Sequence, residues 1–136
     1  MTEDAVLADS FVEKELQQRA EEGDFDAQWR LYSRRKHDGE YGFKWLCRAA
    51  EQGDNRARWE LGYIYQRGLY GVRKDLVMSV MWFSLLEPEG YGSGSAETIR
   101  KLLTPEELNT AKYLHENWEP GQCEREILGT EPSNSN

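Results

Sequence analysis

Residues 50–61 read AEQGDNRARWEL, and residues 20–31 read AEEGDFDAQWRL. The two stretches carry Ala, Glu, Gly, Asp, Ala, Trp and Leu at the same relative positions. A second echo relates Trp45-Leu46 to Trp82-Phe83. Self-similarity at a period of this size is typical of repeat architectures, in which small units stack and bury a shared core.

The residues around these stretches predict helices. Gly23 and Gly53 are helix stops, and Asp24 and Asp54 follow them as N-cap residues. No segment alternates apolar and polar residues with the period of a strand, so we expect an all-α protein. The first helix should run over 6–22, where Phe11, Val12, Leu16 and Ala20 recur at helical spacing. Four more helices are expected over about 24–36, 40–52, 54–68 and from Asp75 to just before Pro88.

The C-terminal part shows one strong helix start. Thr104-Pro105-Glu106-Glu107 combines an N-cap threonine, a proline at the first helical position and a glutamate that closes a capping box. We expect this helix to reach about Trp118, after a linker at Pro88–Gly94 and a short helix over 95–103. Residues 121–136 read as a C-terminal tail, and the last six are polar.

Charge is distributed unevenly along this acidic chain. Its 136 residues carry a net charge of −8, which divides into −7 for residues 1–26, +5 for 27–86 and −6 for 87–136. Acidic ends argue against general nucleic-acid binding, which needs a basic face. The pattern fits either a protein partner selected by charge complementarity or solubility alone.

The two cysteines, Cys47 and Cys123, stand far apart and outside any metal-ligand spacing. Reduced thiols are their simplest state, because two isolated cysteines do not make a disulfide framework. The acidic N-terminus does not look like a signal peptide, and no apolar run is long enough to span a membrane. We therefore expect a cytoplasmic protein that does not enter membranes.

A longer pattern connects these signals: Ala57-x-x-x-Leu61-Gly62-x-x-Tyr65-x-x-Gly68, then Gly71-Val72-x-x-Asp75, then Trp82-Phe83. It resembles the Sel-one-like repeat (SLR), a relative of the tetratricopeptide repeat. The resemblance implies a short right-handed α-solenoid of stacked helix hairpins, with an N-terminal half-unit and C-terminal helices as caps. The implied domain spans 1–120, with units at 24–53 and 54–87, caps at 5–23 and 95–118, and the tail at 121–136.

The unit at 24–53 departs from the pattern. Its loop is shorter, since Trp29 and Trp45 are closer in sequence than Trp59 and Trp82. Tyr32 stands where the next unit has Gly62, and Arg35 stands in place of Tyr65. We expect this unit to pack at a different angle. All four of these tryptophans occupy repeat positions and are expected in the core.

The first helix of each unit offers a candidate binding face, which by family resemblance lines the concave side of the array. Helical spacing places Arg56, Glu60, Tyr63 and Arg67 of the second unit on this face, together with the residues at the equivalent positions of the first unit. Arg and Tyr supply many interface hot spots. A solvated face with ion pairs Asp26–Arg30 and Arg56–Glu60 is the other interpretation. The predicted partner-binding residues are Arg30, Ser33, His37, Arg56, Glu60, Tyr63 and Arg67.

The sequence contains none of the spacings that indicate a metal site, a phosphate loop or a catalytic nucleophile. We therefore expect no enzyme and no cofactor, but an adaptor or scaffold that binds a protein partner. A second hypothesis is an immunity or inhibitor protein that neutralises a toxin or enzyme. A third is hydrolysis of cell-wall-like amides, which cysteine-rich SLR proteins suggest by association. The sequence leaves the oligomeric state open.

Overall fold

A computed structural model describes residues 3–36, 38–86 and 93–129, and over these ranges the chain is helical without strands. This confirms the all-α prediction. None of the described helices combines the length and apolar character that a membrane span requires. The helices of the described ranges are α1 (Glu3–Glu21), α2 (Phe25–Arg35), α3 (Gly39–Glu51), α4 (Asn55–Arg67), α5 (Leu76–Phe83), α6 (Ser93–Arg100), α7 (Pro105–Glu116) and α8 (Gln122–Leu128).

The repeated Gly-Asp pairs start the first helix of each unit. Gly23 and Gly53 have φ values of 98° and 104°, a backbone conformation that glycine adopts without a Cβ clash. Asp24 then accepts hydrogen bonds from the backbone N–H groups two and three residues further on, and Asp54 does the same. These caps satisfy donors that have no partner inside the helix.

Helices α2 and α3 form one hairpin, and α4 and α5 form the next. The repeat positions Ala57 and Leu61 are fully buried, as are their counterparts in α2. A Cβ at Gly62 would lie 2.6 Å from the ring of Phe83, so α4 and α5 approach more closely than any larger residue allows. The buried Ser79 hydroxyl donates to the Gly62 carbonyl at 2.7 Å across the same crossing.

At two repeat positions the first unit carries side chains that contact other helices. Tyr32 stands where the second unit has Gly62, and Arg35 stands where it has Tyr65. Tyr32 is buried, and its hydroxyl donates to Glu60 of α4 at 2.5 Å, which ties the two units together. Arg35 donates to Glu13 of α1 at 2.6 Å, whereas its counterpart Tyr65 lies in the core. The departures from the repeat pattern therefore serve contacts between neighbouring helices.

Helix α1 packs on α2 as the predicted half-unit, with Leu16 and Ala20 buried. Phe11 and Val12 recur with them at helical spacing but are not buried, since Phe11 is 71% exposed and Val12 is 45% exposed. Towards its N-terminus, α1 contacts α2 through acidic residues instead. Asp9 and Glu13 pair with arginines at the end of α2, so ion pairs replace apolar contacts there.

The capping box of α7 is confirmed. The Glu107 backbone N–H donates to the Thr104 hydroxyl at 3.1 Å, and the Thr104 N–H donates to the Glu107 carboxylate at 2.9 Å. Before it, α6 buries Ala96 and Ile99 against the core. The predicted linker at 88–94 lies almost wholly outside the described residues, as do the last six residues.

The predicted tail over 121–136 contains α8, which packs on α3. Cys47 of α3 and Cys123 of α8 form a disulfide with a Cα–Cα distance of 5.5 Å, so the expectation of reduced thiols is wrong. Glu51 reinforces the junction by accepting from the Trp118 indole at 2.9 Å, the Gly121 N–H at 2.9 Å and the Cys123 N–H at 3.0 Å. Without these tertiary contacts a seven-residue helix is too short to be stable.

Candidate functional site

Helices α2 and α4 carry the predicted binding residues, and two contacts join them side by side. Arg56 of α4 forms a 2.9 Å ion pair with Asp26 of α2, and Tyr32 of α2 bonds Glu60 of α4. We call this surface the α2–α4 face. His37 lies outside the described residues. The face comprises Asp26, Trp29, Arg30, Ser33, Arg56, Trp59, Glu60, Tyr63 and Arg67.

A network of charges runs across the middle of the face. Asp26 accepts from Arg30 at 2.9 Å and from Arg56 at 2.9 Å. Arg56 also contacts the buried carboxylate of Asp54 at 2.7 Å. The hydrogen bond that Arg56 donates to Asp54, with help from the one to Asp26, raises the pKa of Arg56 above its usual range. Arg56 is therefore paired with carboxylates of the protein itself. It holds the α2–α4 face together, and its charge is not available to a partner.

The expected pair Asp26–Arg30 forms, but the expected pair Arg56–Glu60 does not. Glu60 accepts the Tyr32 hydroxyl instead. Burial, and then the hydrogen bond to Glu60, raise the pKa of Tyr32, so its hydroxyl stays protonated and remains a donor. The reason for the difference is that Asp26 of the neighbouring unit and the N-cap Asp54 of the same unit offer Arg56 two carboxylates at once.

Aromatic rings form the second half of the face. Trp59 stacks on Tyr63 with ring centroids 5.0 Å apart, and the Arg67 guanidinium lies 5.3 Å from the Tyr63 ring centre. Arg56 covers Trp29 in the same way, at 5.5 Å. A cation above an aromatic ring is held by the electron-rich ring face. The side chains of α4 thus form a continuous row of stacked planar groups.

The four repeat tryptophans differ in burial. Trp45 and Trp82 are fully buried in the core, as expected. Trp29 and Trp59 are half-buried: they pack against the core and also border the α2–α4 face. The sequence held a signal for this, because Trp59 and Tyr63 are four residues apart and therefore neighbours on a helix surface.

A groove of about 380 Å³ continues the face beyond Arg67. Arg67 and Lys74 supply its positive charge, and Ile99 and Leu102 of the α6 region supply its apolar wall. Leu102 is 68% exposed. The sequence did not indicate this groove, because the position of α6 depends on tertiary packing.

The individual predicted residues differ in how available they are to a partner. The Arg30 side chain is 62% exposed although it pairs with Asp26, and Ser33 and Arg67 are exposed. Within the described ranges, no three His, Cys, Asp or Glu side chains come together to hold a metal ion. A rigid surface with stacked rings and exposed guanidinium groups is suited to binding a macromolecule.

Comparison with known protein families identifies a repeat in this chain. The Sel1 repeat model matches residues 26–54 and 55–86, which contain the hairpins α2–α3 and α4–α5. The match confirms the resemblance drawn from the sequence. No curated protein matches the chain. Sel1 repeats are generally protein–protein interaction modules of scaffold or adaptor proteins.

Proposed function

We propose that this chain, a Sel1-repeat protein, is a non-enzymatic adaptor or scaffold that holds a protein partner on the α2–α4 face. The observation that carries the proposal is the row Trp59–Tyr63–Arg67, which continues into the groove beside Leu102. Tyr, Trp and Arg dominate the energetics of protein interfaces when they are held rigidly. The stacking and the ion-pair network hold them so before any partner arrives.

The charges indicate what the partner offers. Among the described residues, no carboxylate forms an ion pair with Arg67 or Lys74, although both line the groove. A complementary segment would place acidic residues against these two cations and an apolar side chain against Leu102. Charge complementarity of this kind speeds association and selects among partners. We therefore expect an acidic segment with an apolar anchor.

Affinity capture from the native cell extract tests the proposal. The wild-type protein is compared with Tyr63→Ala and Arg67→Ala, and with the matched variants Tyr113→Ala and Arg125→Ala on α7 and α8. Truncation of a hot spot weakens binding by about tenfold or more. We expect the two variants of the face to lose the same specific partner while the two controls retain it. Equal recovery by all four variants would remove the face as the binding surface.

A further inference from the structure

A second cavity lies on the other side of α4. Its volume is about 330 Å³, and Met81, Trp82, Leu85 and Trp118 form its apolar walls. Arg58 and His115 provide polar groups at its edge. Successive residues of a helix are separated by about 100°, so Arg58 lies opposite Arg56 and Glu60. The cavity is therefore separate from the α2–α4 face.

Arg58 donates one hydrogen bond to the described residues, and the first unit shows what that bond requires. Its Nε donates to the Ala50 carbonyl at the end of α3, at 2.8 Å. In the preceding unit Gln28 occupies the same repeat position, and its Nε2 donates to the Ala20 carbonyl at 2.9 Å. A neutral amide thus makes the equivalent bond. The positive charge of Arg58 and its remaining N–H donors exceed what the fold needs at this position.

No described residue neutralises this charge. Arg58 is half-buried, and no described carboxylate forms an ion pair with it. Burial lowers the pKa of Arg58, whereas carboxylate partners raise the pKa values of Arg35 and Arg56. Glu51 borders the same cavity but accepts from Trp118, Gly121 and Cys123 instead. A half-buried guanidinium without a counter-ion in the described residues can bind an anionic group of a ligand.

The walls define the rest of the ligand. Trp82 and Trp118 meet edge to face with ring centroids 5.2 Å apart, and the bond from the Trp118 indole to Glu51 fixes the second ring. Apolar cavities of about 300 Å³ or more with a few polar groups are typical ligand sites. An arginine fork matches the two oxygens of a carboxylate.

We propose that this cavity binds a carboxylate carried on an apolar or aromatic group. Arg58 would receive the carboxylate, and the apolar group would enter between Met81, Trp82 and Trp118. Two sources supply this chemistry, namely the C-terminus of a peptide with an apolar last residue and a free aromatic acid. The site is independent of the partner proposed for the α2–α4 face.

Titration of the full-length protein with N-acetyl-L-phenylalanine tests the site, with N-acetyl-L-phenylalaninamide as the uncharged analogue. Tryptophan fluorescence and indole N–H signals in NMR spectra report on Trp82 and Trp118. We expect the acid to bind at least about tenfold more tightly than the amide, because a charged hydrogen-bonded pair contributes that much. Equal binding of acid and amide, or no binding of the acid, would overturn the proposal.

Arg58→Gln is the matched variant, because Gln28 shows that glutamine makes the equivalent carbonyl contact. We expect an unchanged melting temperature and loss of the preference for the acid, whereas Arg67→Gln keeps that preference. If Arg58→Gln unfolds, His115→Glu gives the second test at an exposed helical position, where a carboxylate at the edge of the cavity should repel the ligand at least several-fold. Retained preference for the acid in both variants would contradict the assignment.

A peptide distinguishes the two sources. Acetyl-Gly-Gly-Gly-Phe with a free C-terminus presents the same terminal group with three residues before it. Tighter binding than N-acetyl-L-phenylalanine would assign the cavity to peptide C-termini. Weaker binding would assign it to free aromatic acids. Either assignment holds only if binding shows the preference for the carboxylate that depends on Arg58.

Discussion

Gly62 sets the distance between the helices of the second unit. A Cβ at this position would lie 2.6 Å from the Phe83 ring, which is itself fully buried and cannot move aside. We expect Gly62→Ala to lower the free energy of unfolding by about 1 to 3 kcal/mol, the usual cost of overpacking a core. Urea denaturation followed by circular dichroism measures this.

Gly39→Ala is the control for this change. Gly39 begins α3, and nothing lies within 4 Å of the position where its Cβ would stand. We expect this variant to unfold within about 0.5 kcal/mol of the wild type, as surface substitutions usually do. A Gly62→Ala protein as stable as Gly39→Ala would show that α4 and α5 are farther apart than described.

Asp24 makes the first repeat unit sensitive to acid. The backbone bond from Ala27, and then the bond from Arg19, lower the pKa of Asp24 below its ordinary value. A carboxyl group whose pKa is lowered by folding stabilises the folded protein at pH values above the pKa that this group has in the unfolded chain. That contribution is lost as the pH falls through the folded pKa, which places the loss below about pH 4.

The variant Asp24→Asn tests this sign, because asparagine is also a good N-cap but carries no charge. We expect Asp24→Asn to melt at a lower temperature than the wild type at pH 6, with the difference shrinking towards pH 2. Melting curves at several pH values measure it. A difference that is constant over this range would mean that the Asp24 charge does not contribute to folding.

Local patterns in the sequence predicted the residues whose environment is set by their own helix. The caps Asp24 and Asp54, the capping box at Thr104 and the buried Leu61 follow from spacing alone. Phe11 could not be placed in the same way, because the apolar spacing of α1 gave no sign that α2 meets it with arginines. Residues that face a neighbouring element depend on what that element offers.

At the scale of elements, α8 is held in place by a covalent bond and an acceptor on α3. The disulfide joins residues separated by 76 positions, and Glu51 binds three donors around the start of α8. Neither contact has a local signature in the sequence. For this reason the sequence predicted a tail, whereas the long-range partners on α3 form a docked helix.

Removal of the disulfide should therefore release α8 from α3. We expect Cys47→Ser/Cys123→Ser to lose about 2 to 4 kcal/mol of stability under oxidising conditions, because cross-links that close long loops restrict the unfolded chain most. Thermal melting with and without dithiothreitol measures this. The reductant should lower the melting temperature of the wild type and leave that of the variant unchanged; a wild type that is insensitive to it would contradict the described junction.

At the scale of the molecule, the uneven charge of the chain partly serves its own assembly. Acidic residues from the N-terminal helix pair with Arg34 and Arg35, and Glu124 of α8 pairs with Arg48. Such surface pairs are screened by solvent, and each contributes little to stability. Part of the uneven charge is therefore used in contacts between the caps and the basic centre, a role that composition alone does not distinguish from partner binding or solubility.

The disulfide also bears on where the protein works. Stable disulfides are typical of oxidising compartments and rare in the cytosol. The prediction of a cytoplasmic location rests partly on reduced thiols. The disulfide removes that support, and the location stays a prediction.

Two stacked hairpins align α2 and α4 into the surface that we propose a protein partner covers. Hydroxyl-radical footprinting with and without the captured partner measures it directly, because it reads the exposure of individual aromatic side chains. We predict that the partner slows oxidation of Trp59 and Tyr63 several-fold and leaves Tyr113, which is 64% exposed on α7, unchanged. Protection of Tyr113 with unchanged oxidation of Trp59 and Tyr63 would contradict the account.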